Sequence, residues 1–242
     1  MEVHTHSQTE RKKWTHYFWE FFMLFLAVFC GFLAENQREH FVEHQREKQY
    51  IRSLIQDVKT DTSQMGRWLI RYAELHTNCD SVLISFPTSA TVSDMWFRNI
   101  FSLLRGFPDF IYTDQTMQQL KNAGGLRLIR NKPAIDSIIA YDAAVRDILI
   151  EETVNDDYFG QLTNLTNNQF SYQKINDSAR SFRLQSNEKN YWIRYDPVEM
   201  EKLYNRVYKY RDEIKDFIEY LKSLKMRGSG LILFLKKEYH LK

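Results

Sequence analysis

Residues 17–34 read YFWEFFMLFLAVFCGFLA, an apolar run in which Glu20 carries the only charge and Gly31 is the only residue that weakens a helix. At a rise of ~1.5 Å per residue the run makes a helix roughly 27 Å long, close to the ~30 Å hydrocarbon thickness of a bilayer. The sequence therefore predicts a single transmembrane helix over residues 17–34, with the lipid bilayer as its first partner.

A cleavable signal peptide is the main alternative, because Arg11, Lys12 and Lys13 precede the apolar run. Cleavage after Ala34 would place the large Phe32 where a small side chain is wanted, and a lipoprotein cut before Cys30 would follow a phenylalanine. An uncleaved anchor fits the residues better.

Basic residues flank the span on both sides in equal number. Three precede it as one block at 11–13, and Arg38, Arg46 and Lys48 follow it, spread among acids. The contiguous block next to the span favours a cytoplasmic N-terminus.

Composition narrows the class of protein. The net charge of +2 over 242 residues gives no basic footprint for nucleic acid. Four prolines and eight glycines are too few for the many turns of an all-β fold. Cys30 and Cys79 are too far apart on one helix to bridge, so free thiols are expected, with a disulfide between two chains as the alternative.

Glu20 and Gly31 are the candidate functional positions within the span. An ionisable residue in a membrane helix is by default a proton site or a polar contact to another helix, and glycine permits close helix approach. The alternative for Glu20 is that it lies near enough to the end of the span to reach the interface by snorkelling.

The segment after the span continues without proline or glycine at helical period and is polar nearly all round. It predicts a helical stalk over residues 35–50, either solvated and held by local charge pairs or contacting the stalk of a neighbouring subunit. The candidate stalk contacts form an acidic and a basic row with a four-residue repeat: Glu35, Glu39, Glu43 and Glu47, and His40, His44, Lys48 and Arg52.

From residue 51 the pattern becomes amphipathic and predicts a helical bundle domain over 51–242. The first helix is expected to run from about Glu10 to about Ile84, and shorter helices to follow, capped by Thr91 or Ser93 and opened by Thr113. A further helix begins near Pro133 with its buried side formed by Ile135, Ile138, Ile139, Val145, Ile148 and Leu149.

Residues 174–195 are polar and predict a loop, after which Asp196, Pro197 and Glu199 form the clearest helix start in the chain. The predicted fold is all-α: a short tail over 1–16, one transmembrane helix continuing into a long helix, and an extramembrane bundle. The last helix is expected to pass through Gly228 and Gly230, because apolar residues stay in phase beyond them.

No catalytic, cofactor or metal site is recognisable from spacing. Residues 124–132, GGLRLIRNK, resemble a phosphate loop only in paired glycines and basic residues, and a helix-terminating turn whose cations face solvent or pair with Asp136 explains them more simply. His40 with His44 lacks a third metal ligand. His76 and Cys79 share a helix face, for which ordinary packing is the simpler interpretation.

Three segments together carry a resemblance: EFFMLFLAVFCGFLAENQREHFVEHQREKQYIRSL, LKNAGGLRLIRNK and LFLKKEYHL. The chain resembles a family of uncharacterised gram-negative bacterial membrane proteins, a domain of unknown function with an N-terminal span, a long helix and a G-x-L-R-L-I-[RK]-N-K segment. Glu20, Gly31 and residues 125–132 match that pattern. The resemblance implies a single-pass inner-membrane protein whose domain faces the periplasm, and it implies no catalytic residue.

The leading hypothesis is therefore an interaction or assembly protein of the bacterial envelope, without enzymatic chemistry, that forms a homo-oligomer or binds other envelope membrane proteins. A periplasmic sensor or ligand-binding domain anchored by one span is the alternative. An envelope hydrolase would require reactive groups that only folding brings together.

Overall fold

The computed structural model describes residues 14–90, 92–105, 110–122, 124–173 and 191–241. Within these ranges the chain is helical throughout its regular structure, which confirms the predicted all-α class. Five α-helices and one 3-10 turn are present there: α1 (Trp14–Ile84), α2 (Asp94–Leu103), α3 (Gln115–Asn122), the turn Gly125–Leu128, α4 (Lys132–Gln169) and α5 (Pro197–Glu238).

The chain forms two compact units that divide between Tyr50 and Ile51. The first unit contains the part of α1 that precedes this boundary. It includes an 18-residue apolar window, none of which is buried within the chain, so α1 carries one candidate membrane-spanning segment near the N-terminus. The predicted tail lies largely outside the described residues, as does the predicted helix start at Glu10.

The second unit has a core formed by the later part of α1 together with α4 and α5. These helices bury side chains at spacings of three and four, the pattern of an amphipathic helix packed on one face. On α5 the buried positions are Met200, Leu203, Val207, Tyr210, Ile214, Phe217, Leu221, Leu224, Gly228, Leu231 and Leu235, so the helix does pass through its glycines in phase.

At Gly228, α5 packs tightly against both α1 and α4. A Cβ atom placed there would lie 2.7 Å from Cγ2 of Thr62 on α1 and 3.1 Å from Cε2 of Tyr141 on α4. Only a hydrogen side chain leaves room for the neighbouring helices at this point.

Side-chain caps fix where the helices begin. Ser93 accepts a hydrogen bond from the N–H of Trp96, and Asp196 accepts from the N–H of Val198 and Glu199, as the sequence predicts. Asn131 caps α4 in the same way, one residue before the helix and two before Pro133. Thr91, the other cap candidate, lies outside the described residues.

Two expectations about α3 and α4 need correction. The helix expected to open at Thr113 begins at Gln115, and the carbonyl of Asp114 accepts its first helical hydrogen bond, from the N–H of Gln118 at 2.8 Å. Ile139 was assigned to the buried side of α4 but is 45% exposed, since Ile138 next to it already fills the core face.

An aromatic cluster closes one end of the second unit. Phe170 and Trp192 form an isolated antiparallel bridge and stack with ring centroids 4.6 Å apart, and Tyr191 stacks on Phe97 of α2 at 4.1 Å. Of the loop predicted over 174–195, residues 174–190 lie outside the described part. Tyr191 and Trp192 are buried, which the polar composition of that segment did not reveal.

Candidate functional site

Glu20 and Gly31 lie on the same face of α1, because eleven residues correspond to about three helical turns. No atom approaches a Cβ placed on Gly31 within 4 Å, so this face is open at that position. Glu20 Oε1 lies 2.9 Å from Nε2 of His16. Sequence reasoning missed His16, although its i, i+4 spacing from Glu20 was available to reveal it.

The predicted stalk rows make contacts along their own helix. Arg38 donates to Glu35 at 3.0 Å, His40 Nδ1 lies 3.9 Å from Glu43, and His44 Nδ1 lies 3.3 Å from Glu47. These pairs are i, i+3, so part of the charge is neutralised within one helix as the solvated-stalk interpretation requires.

Three of the remaining stalk candidates lie apart from these pairs. Glu39 is exposed on α1, and Lys48 is half-buried. Arg52 belongs to the second unit, where it lines a groove with residues of α5. Glu47 is only 2% exposed, unlike the other acids of the row.

Three carboxylates of α1 and α4 hold residues 110–116 through their backbone. The N–H of Phe110 donates to Glu152 at 2.7 Å, the N–H of Thr113 to Asp61 at 3.0 Å, and the N–H of Thr116 to Asp57 at 3.1 Å. We call Asp57, Asp61 and Glu152 the carboxylate clamp. It satisfies backbone donors that would otherwise be buried without partners.

Two tyrosines donate to Asp61 of the clamp and to a fourth acid, Asp142. The hydroxyl of Tyr141 donates to Asp61 at 3.2 Å, and that of Tyr112 donates to Asp142 at 3.1 Å. Asp142 also accepts from Lys121 and Arg146. Asp61 of α1 is thereby bonded to α4, and Asp142 of α4 is bonded to α3 and to the segment that precedes it.

Burial and hydrogen bonding shift the pKa of four of these groups. Burial raises the pKa of Asp61, although the bonds from Thr113 and Tyr141 partly offset it. Burial alone would raise the pKa of Asp142 as well, but the bonds from Lys121 and Arg146 outweigh it and lower that pKa. Burial and the neighbouring carboxylates raise the pKa of both tyrosines, so each remains a hydrogen-bond donor at neutral pH.

The sequence pattern did not reveal the roles of Asp57 and Asp61, and the reason is physical. Asp57 and Asp61 are visibly four apart on α1, but the backbone groups they bind lie more than 50 residues away in the chain. Among the described residues no group of three or more His, Cys, Asp or Glu side chains is placed to hold a metal ion.

Two candidate sites from the sequence remain: His76 with Cys79, and the GGLRLIRNK segment. Cys79 is fully buried, and burial raises the pKa of its thiol to about 12, while His76 contacts Asp80 at 3.4 Å. In the GGLRLIRNK segment Gly124 has the left-handed conformation, with φ of 66°, and the 3-10 turn follows directly. This is the helix-terminating turn that the sequence predicts.

Two solvent-facing grooves in the second unit are rich in cations. One lies between α4 and α5 and includes Lys202, which pairs with Glu199 at 2.7 Å, and Arg206, whose guanidinium lies over the ring of Tyr158. The other encloses about 440 Å³. Its lining residues come from α1 and from the end of α5: Arg52, Ile55, Gln56, Lys59, Lys236, His240 and Leu241.

Comparison with protein families, with curated proteins and with solved structures finds no match to this chain. The resemblance in the span, the GGLRLIRNK segment and the closing helix stays a prediction, as do the roles it implies.

Proposed function

We propose that this chain is a single-pass inner-membrane protein that assembles through its span, with an N-terminus in the cytoplasm and a helical domain in the periplasm. The observation that carries the proposal is the 18-residue apolar window of α1, none of which is buried by the chain itself. Apolar surface left uncovered on that scale requires lipid or another protein.

One face of the span is suited to contact with a second helix. Glu20, Ala27 and Gly31 recur at spacings of seven and four, so they share a face with Leu24, and Ala27 and Gly31 make the second half of that face small. Small residues let helix backbones approach closely in lipid, and a carboxyl group supplies an interhelical hydrogen bond. This arrangement supports a homo-oligomer.

The experiment compares Gly31→Leu with Phe29→Leu. Phe29 is nine residues from Glu20, which is about two and a half turns, and so lies on the opposite face. The molar masses of both purified variants and of the unsubstituted chain are measured in mild detergent by light scattering coupled to gel filtration.

We expect the unsubstituted chain and Phe29→Leu to be oligomeric, and Gly31→Leu to shift towards monomer with a dissociation constant raised at least about tenfold. A monomeric unsubstituted chain with no co-purifying membrane protein would contradict the proposal.

A second candidate function is that of a ligand-binding domain anchored by one span. The cation-rich groove between α1 and the end of α5 favours it, because clustered like charges facing solvent are stabilised by an anionic ligand.

A further inference from the structure

From the groove lined by Arg52, Lys59, Lys236 and His240 we infer a binding site for a phosphate-bearing ligand. The inference rests on the second proposed function, ligand binding, and is independent of self-association through the span. All lining residues belong to the second compact unit.

The cations converge from two helices. Arg52 and Lys59 are seven residues apart on α1, about two turns, and therefore lie on the same face, with the amide of Gln56 between them. Lys236 lies in the last turn of α5 and completes the opposite wall. Within the described part of the chain, none of these three cations has a carboxylate partner.

The end of α5 is shaped so that it adds to the groove. The N–H of Leu241 donates to the carbonyl of Lys236 at 2.9 Å, and the N–H of His240 donates to that of Lys237 at 3.3 Å. These two bonds form a Schellman turn. It folds His240 and Leu241 back beside Lys236, where both line the groove.

His240 takes the position in this turn that glycine normally occupies. Its φ is 51°, a left-handed conformation that an L side chain adopts at a cost. The imidazole thereby adds a further nitrogen to the lining, at a point where a glycine would make the same turn without strain.

The chemistry of the lining selects a phosphate group. A phosphate monoester carries about −1.5 to −2 charges at neutral pH and three acceptor oxygens, so it can bind cations from both helices at once. The guanidinium of Arg52 supplies a planar pair of donors, and the lysines supply point charges. Ile55 and Leu241 form an apolar floor for the part of the ligand that carries the phosphate.

Two sources of that phosphate are distinguished by two arms of one experiment. In the first arm the full chain in neutral detergent is titrated with inorganic pyrophosphate by calorimetry. In the second arm the full chain is placed in nanodiscs of phosphatidylcholine alone, or mixed with phosphatidic acid, a lipid phosphomonoester. Hydrogen exchange of residues 52–59 and 236–241 is then measured in both kinds of disc.

Each arm uses Arg52→Ala, Lys236→Ala and the control Lys215→Ala. Lys215 is an exposed cation on α5 with no partner among the described residues, so it changes the net charge equally but not the groove. Circular dichroism checks that each variant remains helical.

We expect heat of binding in the first arm, or protection by phosphatidic acid in the second. Arg52→Ala and Lys236→Ala should weaken the effect at least about tenfold, and Lys215→Ala should leave it unchanged. Binding of pyrophosphate identifies a soluble phosphate ester, and protection in mixed nanodiscs alone identifies a lipid headgroup. No effect in either arm overturns the inference, as does an equal loss with Lys215→Ala.

Discussion

At the scale of single residues, Asp142 shows how the folded domain uses a buried charge. Its carboxylate accepts hydrogen bonds from Tyr112, Lys121 and Arg146, and its side chain is only 6% exposed. The two cations are more exposed, so they remain hydrated if the acid is removed. The cost of removing it is therefore mainly that of the lost charge-assisted bonds.

The lowered pKa of Asp142 fixes the sign of its pH dependence. Because the folded state holds the proton less tightly than the unfolded state, Asp142 stabilises the fold fully above its ordinary value of 3.8. The contribution is lost as the pH falls from there through the lower pKa of the folded state.

We expect Asp142→Asn to lower the free energy of unfolding by about 1–3 kcal/mol at neutral pH. The deficit should shrink as the pH falls through this window, because protonation removes the same charge from the unsubstituted chain. Denaturant unfolding at a series of pH values measures it, with the exposed Asp147→Asn on the same helix as control. A deficit that stays constant down to pH 2 would contradict this account.

At the scale of the helix, the sequence contained enough information to predict most of the elements. Asp196 is a cap residue, Pro197 follows it at the first helical position and Glu199 lies in the first turn, and α5 begins there. The apolar residues of α1 from Ile51 onward recur at helical period, and this half of the helix is indeed in the core. These are local signals, since each depends on residues within a few turns of one another.

What the sequence could not predict depends on partners distant in the chain. The carboxylate clamp binds backbone N–H groups, which every residue except proline carries, so no side-chain pattern marks them. Tyr191 lies in a polar segment, and only its stacking on Phe97 explains why it is buried. The cationic groove joins Arg52 to Lys236, which are 184 positions apart in the numbering.

The packing of α5 against its neighbours gives a prediction at this scale. Gly228→Ala places a methyl group against Thr62 and Tyr141, whereas Gly230→Ala on the same helix meets nothing within 4 Å. Both substitutions gain the same helix propensity, about 1 kcal/mol. Their difference therefore isolates the cost of forcing α1 and α4 away from α5.

We expect Gly228→Ala to be less stable than Gly230→Ala by about 1–3 kcal/mol, the usual cost of overpacking a core. Thermal and denaturant unfolding of the two variants measures the difference, and Gly230→Ala should equal or exceed the unsubstituted chain. Equal stability of the two variants would show that the helices do not approach at Gly228.

At the scale of the whole molecule, the two compact units differ in how many buried side chains they contain. Apart from Glu47, none of the described residues before Ile51 is buried, and the core of the second unit draws its side chains from residues 51–239. A unit with its own core is expected to fold without the apolar window. Starting the fragment more than one turn before the fully buried Ile51 keeps the fraying end of α1 out of the core.

A fragment of residues 45–242 should therefore be helical, unfold cooperatively and elute as a single species in buffer without detergent. A shorter fragment of residues 60–242 is the matched control, because it lacks the fully packed side chains of Ile51, Leu54, Ile55 and Val58. Losing four buried aliphatic side chains removes roughly 6–12 kcal/mol of burial free energy, as much as the whole stability of a typical domain. Circular dichroism and gel filtration distinguish the two, and aggregation of the longer fragment would show that the second unit depends on the residues before it.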